Sequence, residues 1–530
     1  MREEKVQKMM DSQGSITVFM TFMFVLFLGL TGTVIEHARV LSSDGMVRVS
    51  GNSAAMTVFG DYNRELYQDY GLYAYSGISG NSLTQLEASF QRIITDNLRE
   101  IPENAIQEYA SLYRIGNIQA SVTNAEYLTS QNYFYDQIKA YNKYRAIENL
   151  SSKVIEKLPG KGENAGIEEK LSMTNDYEKG KYDKTEEEGG QTERIENPSG
   201  AKDEAGGNPL KTFASMMRDG ILHLVCDEDK LKEGKIEPVE TQGDVVVSAK
   251  NTSNEMGAAD YLSDSLGEDT TLPDFSSMAQ GADKIALLSY DNAVFSSYCT
   301  DRKRTTQYGK EYLIAGKTEE KDNLAFVVNR ILAIRTILNF AYVAKEPVLQ
   351  EKSLVTATVL AGIIGIPAVV KAVQYTILLI LAYQESCVDV IGLMEDRTVP
   401  VMKTAENFKM KYEEICMGSK SLFKKKAAGY PKSSKGVVTS GIDYEQYLYL
   451  FMLTVSQKEL ENRTMDLIQY DLRNKYNQAF SIQECICKAT YEIQYEVPFL
   501  FAFSFPKEAV HRVGGKLQKV QEVSYDYQSG

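Results

Sequence analysis

The sequence predicts a helix-rich α+β protein: one N-terminal transmembrane helix runs on into a long stalk helix, and a large mixed ectodomain follows. Three observations carry this prediction. An uncharged apolar run opens the chain, several later segments space their apolar residues as helices do, and one segment near the C-terminus alternates with period two. At 530 residues the chain exceeds the length at which a single hydrophobic core stops growing, so more than one core is expected.

Residues 1–14 read as a leader-like cytoplasmic segment. Residues 15–35, SITVFMTFMFVLFLGLTGTVI, hold no charge. About twenty such residues cross the hydrocarbon core of a bilayer as a helix. Val18, Phe19, Phe22, Val25, Leu26 and Leu30 form the core of this transmembrane segment, bracketed by Arg2, Lys5, Lys8 and Asp11 before and Glu36, His37 and Arg39 after. A secretory signal would be shorter and end in a small-x-small cleavage site, for which Thr31-Gly32-Thr33 is a poor substitute. The segment therefore reads as an uncleaved anchor, or as one cut on the other side of the apolar run. Basic residues before it, set against Arg39 and Arg48 after it, place the N-terminus in the cytoplasm and the body outside the cell membrane.

From 36 to 77 apolar residues recur at helical spacing (Ala38, Leu41, Ala55, Val58, Tyr62, Leu66), which predicts the stalk. Gly45, Gly51 and Gly60 each weaken it by about 1 kcal/mol and predict bends, with Gly71 and Gly77 as stop signals. Residues 78–158, the first part of the ectodomain, contain a strand at 118–127 and a helix from 133. Residues 159–209 have too few apolar side chains to offset chain entropy and read as a disordered linker or insertion.

The body from 210 to 530 begins with a helix ending near Gly220, then a polar region with a short strand at 245–248. Residues 308–316 (YGKEYLIAG) read as a strand, and 323–343, apolar nearly all round, as a buried helix. Residues 354–393 read as two buried helices hinged at Pro367. A membrane span there would take in Pro367 or Lys371, and a central lysine costs about 2.5–3.5 kcal/mol; a hairpin dipping into the membrane is the alternative. Asp443 with Gln446 forms a capping box opening a helix over 443–474. Residues 484–498 alternate cleanly and predict a C-terminal strand with one buried face.

Composition narrows function. A net charge of −14 argues against nucleic acid as a partner and against electrostatic adhesion to anionic lipid. The chain has 33 tyrosines and no tryptophan. Tyrosine suits half-buried and interface positions. Six scattered cysteines and three histidines, without a CxxC pair, predict free thiols and no zinc site.

No catalytic, cofactor-binding or metal-binding residue is assigned. Gly316-Lys317 resembles the end of a phosphate loop, but Glu311 stands where that loop needs glycine. Asp274 with Ser276 begins a DxSxS motif that Met278 breaks. Arg463, Asp466 and Arg473 predict a buried salt bridge on one helix.

Gly14-Ser15-Ile16-Thr17-Val18-Phe19, followed by the apolar run, resembles the start of TadE/TadG-like pseudopilins of tight-adherence pilus systems. That resemblance implies prepilin-type cleavage between Gly14 and Ser15, with the apolar helix as the assembly surface. Phe19 stands where pilins carry a glutamate, which fits an accessory anchored protein better than a filament subunit. YGLYAY (70–75), NPL (208–210), GILHLV (220–225), YLIAGK (312–317) with DNLAFVVNRILAIR (322–335), DYEQYLYLFM (443–452) and RTMDLIQ (463–469) resemble an uncharacterised family of Gram-positive bacteria. The expected function is structural or accessory and non-enzymatic, in a pilus-like or secretion assembly, with membrane lipid and assembly components as partners. A cell-surface ligand- or wall-binding ectodomain is the alternative.

Overall fold

The computed structural model describes residues 2–77, 81–99, 115–144, 208–227, 231, 234–239, 281–361, 367–433, 441–500 and 515–527. Of the linker expected at 159–209, residues 159–207 lie outside them, as do the strand at 245–248 and the DxSxS-like stretch; Asn208 caps and Pro209 begins a helix. The chain divides into two units, 1–137 with 476–530 and 138–475.

The first unit is built on helix α1 (Arg2–Phe59), which runs unbroken through the apolar segment. From Gly32 onward its buried residues fall at Glu36, Arg39, Val40, Ser43, Val47, Gly51, Ala54, Ala55, Val58 and Phe59. Steps of three and four make one stripe along the helix. That stripe and helix α3 (Ser82–Arg99) share a hydrophobic core with a three-stranded antiparallel sheet. Its order is β1 (Gly116–Tyr127), β4 (Ile486–Pro498), β5 (Lys516–Asp526), numbered with two short strands between. Tyr491 pairs with Val122 on one side and Val523 on the other, and Phe90 of α3 stacks on its ring at 3.7 Å between centroids.

β1 is an edge strand, so backbone groups on its outer side have no strand partner, and α3 supplies them. Glu87 accepts from Val122 N–H at 3.0 Å, and Gln91 bonds both Ala120 N–H and Ile118 C=O. A covered edge is closed to stray strand pairing.

The expected stalk to residue 77 is shorter than predicted. α1 ends at Phe59; α2 (Arg64–Tyr70) restarts with Asn63 as N-cap and stops on Gly71 at φ 69°. Gly51 does not interrupt the helix. A Cβ there would sit 2.8 Å from Ile493 Cδ1 and 3.0 Å from Val523 Cγ2, so the glycine lets helix and sheet approach.

Helix α4 (Gln131–Tyr144) leads into the second unit, a helical assembly. It comprises α5 (Pro209–Asp219), α6 (Ile221–Val225), α7 (Ala282–Val294), α8 (Gly309–Ala315), α9 (Glu320–Val343), α10 (Pro347–Leu360) and α11 (Pro367–Met394). Two-residue strands β2 (Val399–Pro400) and β3 (Gly441–Ile442) pair, with α12 (Lys420–Ala427) between them. Helices α13 (Tyr444–Thr454) and α14 (Gln457–Lys475) complete the unit.

Pro367 begins α11, as its missing N–H favours, and the Asp443 capping box is formed. Three further expectations are corrected. Of the two buried helices expected over 354–393 only α11 is buried, since α10 buries just Ser353 and Ala357. Residues 309–315 are helix, not strand, closed by Gly316 at φ 66°. The helix expected over 443–474 is two, broken where Val455 turns extended.

Candidate functional site

The apolar segment is the first candidate. Val18, Phe19, Phe22, Val25, Leu26 and Leu30 are all more than half exposed, and exposed apolar residues run without a break from Phe22 to Leu28, so every side of α1 is bare there. Polar groups inside the run are hidden locally: Thr21, Thr31 and Thr33 donate their hydroxyls to the carbonyls of Thr17, Phe27 and Gly29. A hydroxyl bonded within its own helix needs no water. Gly14 and Ser15 lie within the helical residues of α1.

Where the charge-free run stops, docking starts. Glu36 and Arg39 form a buried ion pair; Arg39 also donates to Pro498 C=O, and Glu36 accepts from Leu500 N–H at 3.1 Å. One turn on, Asp44 accepts from Tyr495 Oη at 2.5 Å and Lys519 Nζ at 2.8 Å. Bare helix thus gives way to packed helix at residues 32–36.

Three helices among the described residues are long and apolar enough to cross a membrane. In α9 and α11, 78% and 100% of the most apolar window is buried, whereas for α1 it is 6%. The first two spend their apolar surface on their own unit.

The second candidate is a buried polar network between α9, α11 and residues 399–430. Asp389 Oδ2 accepts from Arg335 Nε at 2.9 Å, Arg335 Nη2 at 2.7 Å and Asn339 Nδ2 at 2.9 Å. Its Oδ1 accepts from Lys403 Nζ at 2.7 Å and Tyr430 Oη at 2.6 Å. Lys403 also reaches Glu385 at 2.6 Å, and Glu385 accepts from Lys409 and Met410 N–H. Arg335 Nη1 donates to the carbonyls of Pro400 and Val401.

The charged groups of Arg335, Asp389, Lys403 and Glu385 are all fully buried, two of each sign. Burial pushes the Asp389 carboxyl up, but Arg335 and Lys403 outweigh it and hold the group below its ordinary range. For Glu385 burial wins and the carboxyl is raised. Every charge finds a partner, and the bonds tie an irregular chain segment to two core helices.

Other buried acids cap or brace α8. Burial pushes Glu311 up to about 7, although Tyr298 N–H and Tyr444 Oη donate to it at 2.9 and 2.7 Å. Burial likewise lifts Asp466 to about 6; it accepts from Val239 N–H and Tyr312 Oη. The salt bridge expected of Arg463 with Asp466 is replaced by separate duties, because Arg463 donates to the carbonyls of Leu313 and Ile314. Its guanidinium lies over Gly316, where a Cβ would sit within 2.7 Å. Gly316-Lys317 is therefore a helix end, not a phosphate loop.

Among the described residues no group of three or more histidines, cysteines or acids is placed to hold a metal, and all six cysteines are free thiols.

Fold and site together define a helix-rich α+β chain led by an exposed apolar helix. A family model described as a family of unknown function, DUF5702, matches residues 199–497, and the chain belongs to that family. Neither a curated protein nor a solved structure matches it. The matched stretch contains the whole buried network; α1 lies outside it.

Proposed function

We propose that the protein is a single-pass membrane protein, N-terminus in the cytoplasm and body outside, with a structural or accessory role in a pilus-like or secretion assembly. The observation that carries this reading is the division of α1. Its first half offers lipid or partner helices an apolar surface on all sides, while its second half is docked along one stripe. Without a hydrophobic driving force inside a bilayer, such a helix stays in lipid until partner helices pack against it. The resemblance of residues 14–19 to TadE/TadG-like pseudopilins assigns the assembly class and places processing between Gly14 and Ser15. A non-enzymatic role is favoured because Arg335, Asp389, Lys403 and Glu385 of the DUF5702 region are committed to one another.

N-terminal sequencing of the protein extracted from membranes tests this. A start at Ser15 supports prepilin-type processing; an intact Met1 removes it. Release of the full chain by alkaline carbonate would remove the anchor as well.

A second reading, wall or ligand binding, draws on one feature of the first unit. Tyr62, Tyr67, Tyr73, Tyr525 and Tyr527 form a continuous, partly exposed ring cluster around buried Phe59. Tyr527 Oη donates to Phe59 C=O, and the partly exposed ring faces of the cluster suit sugar faces. Loss of sedimentation with isolated wall material on Tyr67→Ala would support it; sedimentation no different from that of the unaltered chain would dismiss it.

A further inference from the structure

The sheet of the first unit has two edges, and side chains cover only one of them. Glu87 and Gln91 of α3 occupy outer backbone groups of β1. The other edge is β5, which pairs with β4 along its whole length without a register shift.

The ends of that ladder fix which backbone groups of β5 face outward. Phe499 N–H donates to Gly515 C=O at 3.1 Å, and Tyr527 N–H donates to Cys487 C=O at 3.3 Å. Opposed residues of an antiparallel pair alternate between bonded and non-bonded, so the odd-numbered residues of β5 bond β4. Lys516, Gln518, Val520, Glu522 and Ser524 therefore turn N–H and C=O away from the sheet. Among the described residues, these outward groups receive one bond, from Gln521 Nε2 to Glu522 C=O at 3.1 Å. The open stretch from Lys516 to Ser524 is about 27 Å of strand.

The usual guards of an open edge are missing or engaged. The strand holds no proline and no bulge. Its two lysines are paired within the unit, Lys516 with Glu496 at 2.9 Å and Lys519 with Asp44 at 2.8 Å. Next to the edge, Glu522 stands directly opposite Glu492, and among the described residues neither has an ion-pair partner. Side chains of a non-bonded pair lie closest, and like charges opposed there are destabilising. A cation arriving on a strand beside β5 relieves that pair.

A second copy of the chain does not fit this edge. β5 follows the course of α1: Lys519 meets Asp44, Val523 lies by Gly51, and Tyr527 bonds Phe59. Pairing β5 with its own copy is antiparallel about a two-fold axis, which reverses α1 and points the second anchor away from the bilayer. Pairing β5 with β1 of another copy is blocked by α3.

We propose that the β5 edge takes, as a fourth strand, an extended segment of another protein with a lysine or arginine opposite Glu522; a second copy is excluded on the strength of the anchor proposed above. Main-chain bonds of an added strand supply affinity, and its alternate side chains supply selectivity.

The probes are two labelled nonapeptides that alternate threonine and valine around a central lysine or a central glutamate. Each is titrated against the full chain in detergent by fluorescence anisotropy, with hydrogen exchange of β5 amides resolved by residue. The lysine peptide should bind about three- to thirty-fold more tightly than the glutamate peptide. It should also slow exchange at Gln518, Val520, Glu522 and Ser524, which exchange fast in the free chain. Glu522→Lys should reverse the preference. Val520→Pro removes an outward donor and no bond to β4, so it should abolish binding while the odd-numbered amides stay protected.

Equal binding of the two peptides, or a lysine preference that survives Glu522→Lys, overturns the inference. So does slow exchange of the even-numbered amides in the free chain, which means the edge is already covered. A dimer that Val520→Pro dissociates assigns the edge to a second copy and overturns it too. A chain that resists alkaline carbonate but binds neither peptide loses the edge and keeps the anchor; peptide binding by a chain that carbonate releases does the opposite.

Discussion

Asp389 is the hub of the buried network, and Asp389→Asn tests what the network does. The substitution preserves shape but removes one of two buried negative charges, leaving Arg335 and Lys403 facing Glu385 alone. Five donor contacts converge on the carboxylate, and an amide nitrogen in place of one oxygen turns an acceptor into a clashing donor. Breaking a buried pair by removing one partner costs about 3–5 kcal/mol, against a typical total of about 5–15 kcal/mol. Hydrogen exchange on the full chain reads this locally, as faster exchange of α9 and α11 amides by about a hundred- to several-thousand-fold. Adding Lys403→Met restores one charge of each sign and should recover part of the loss, a coupling of about 1–3 kcal/mol. Unchanged exchange in Asp389→Asn, or strictly additive effects in the double variant, would refute the network as the clasp of this unit.

Three further outcomes follow from the geometry. Glu311 is raised from 4.5 to about 7 by burial, so the folded state binds a proton that the unfolded state releases. Its contribution to stability is full below about pH 4.5 and falls as pH rises towards 7, by about 3 kcal/mol; Glu311→Gln should flatten that part of the slope in denaturation measured between pH 5 and 8. Gly51→Leu should loosen the α1–sheet interface by about 1–3 kcal/mol through overpacking on Ile493 and Val523, read as a lower melting temperature of the first unit; a wild-type value would deny the close approach. Native alkylation should spare buried Cys226, Cys387, Cys485 and Cys487 and reach Cys416 first, since burial raises the Cys387, Cys485 and Cys487 thiols. Mass mapping of the modified thiols checks the order.

Local pattern determined much of this protein. The charge-free length of 15–35, the period-two alternation of 484–498, Pro367 as a helix start and the Asp443 capping box each depend on neighbours a few residues away, so they are legible in the chain alone. Residues 323–343, apolar on all sides, declare burial for the same reason. Tertiary structure decided the rest. YLIAG alternates as well in a strand as in a short helix, and Tyr312, Glu311 and Arg463 settle it as α8 through partners more than a hundred residues distant. Strand β5 went unread because its pattern is half polar; it exists by pairing with β4 along its whole length. The end of the bare helix at 32–36 is set by Pro498 and Leu500 meeting Arg39 and Glu36. The buried charges were visible as letters, but only folding brings Arg335, Asp389, Lys403 and Tyr430 within hydrogen-bond range. Hydrophobic spacing is a property of one segment, whereas the value of a buried charge is fixed by what the remainder of the chain sets beside it.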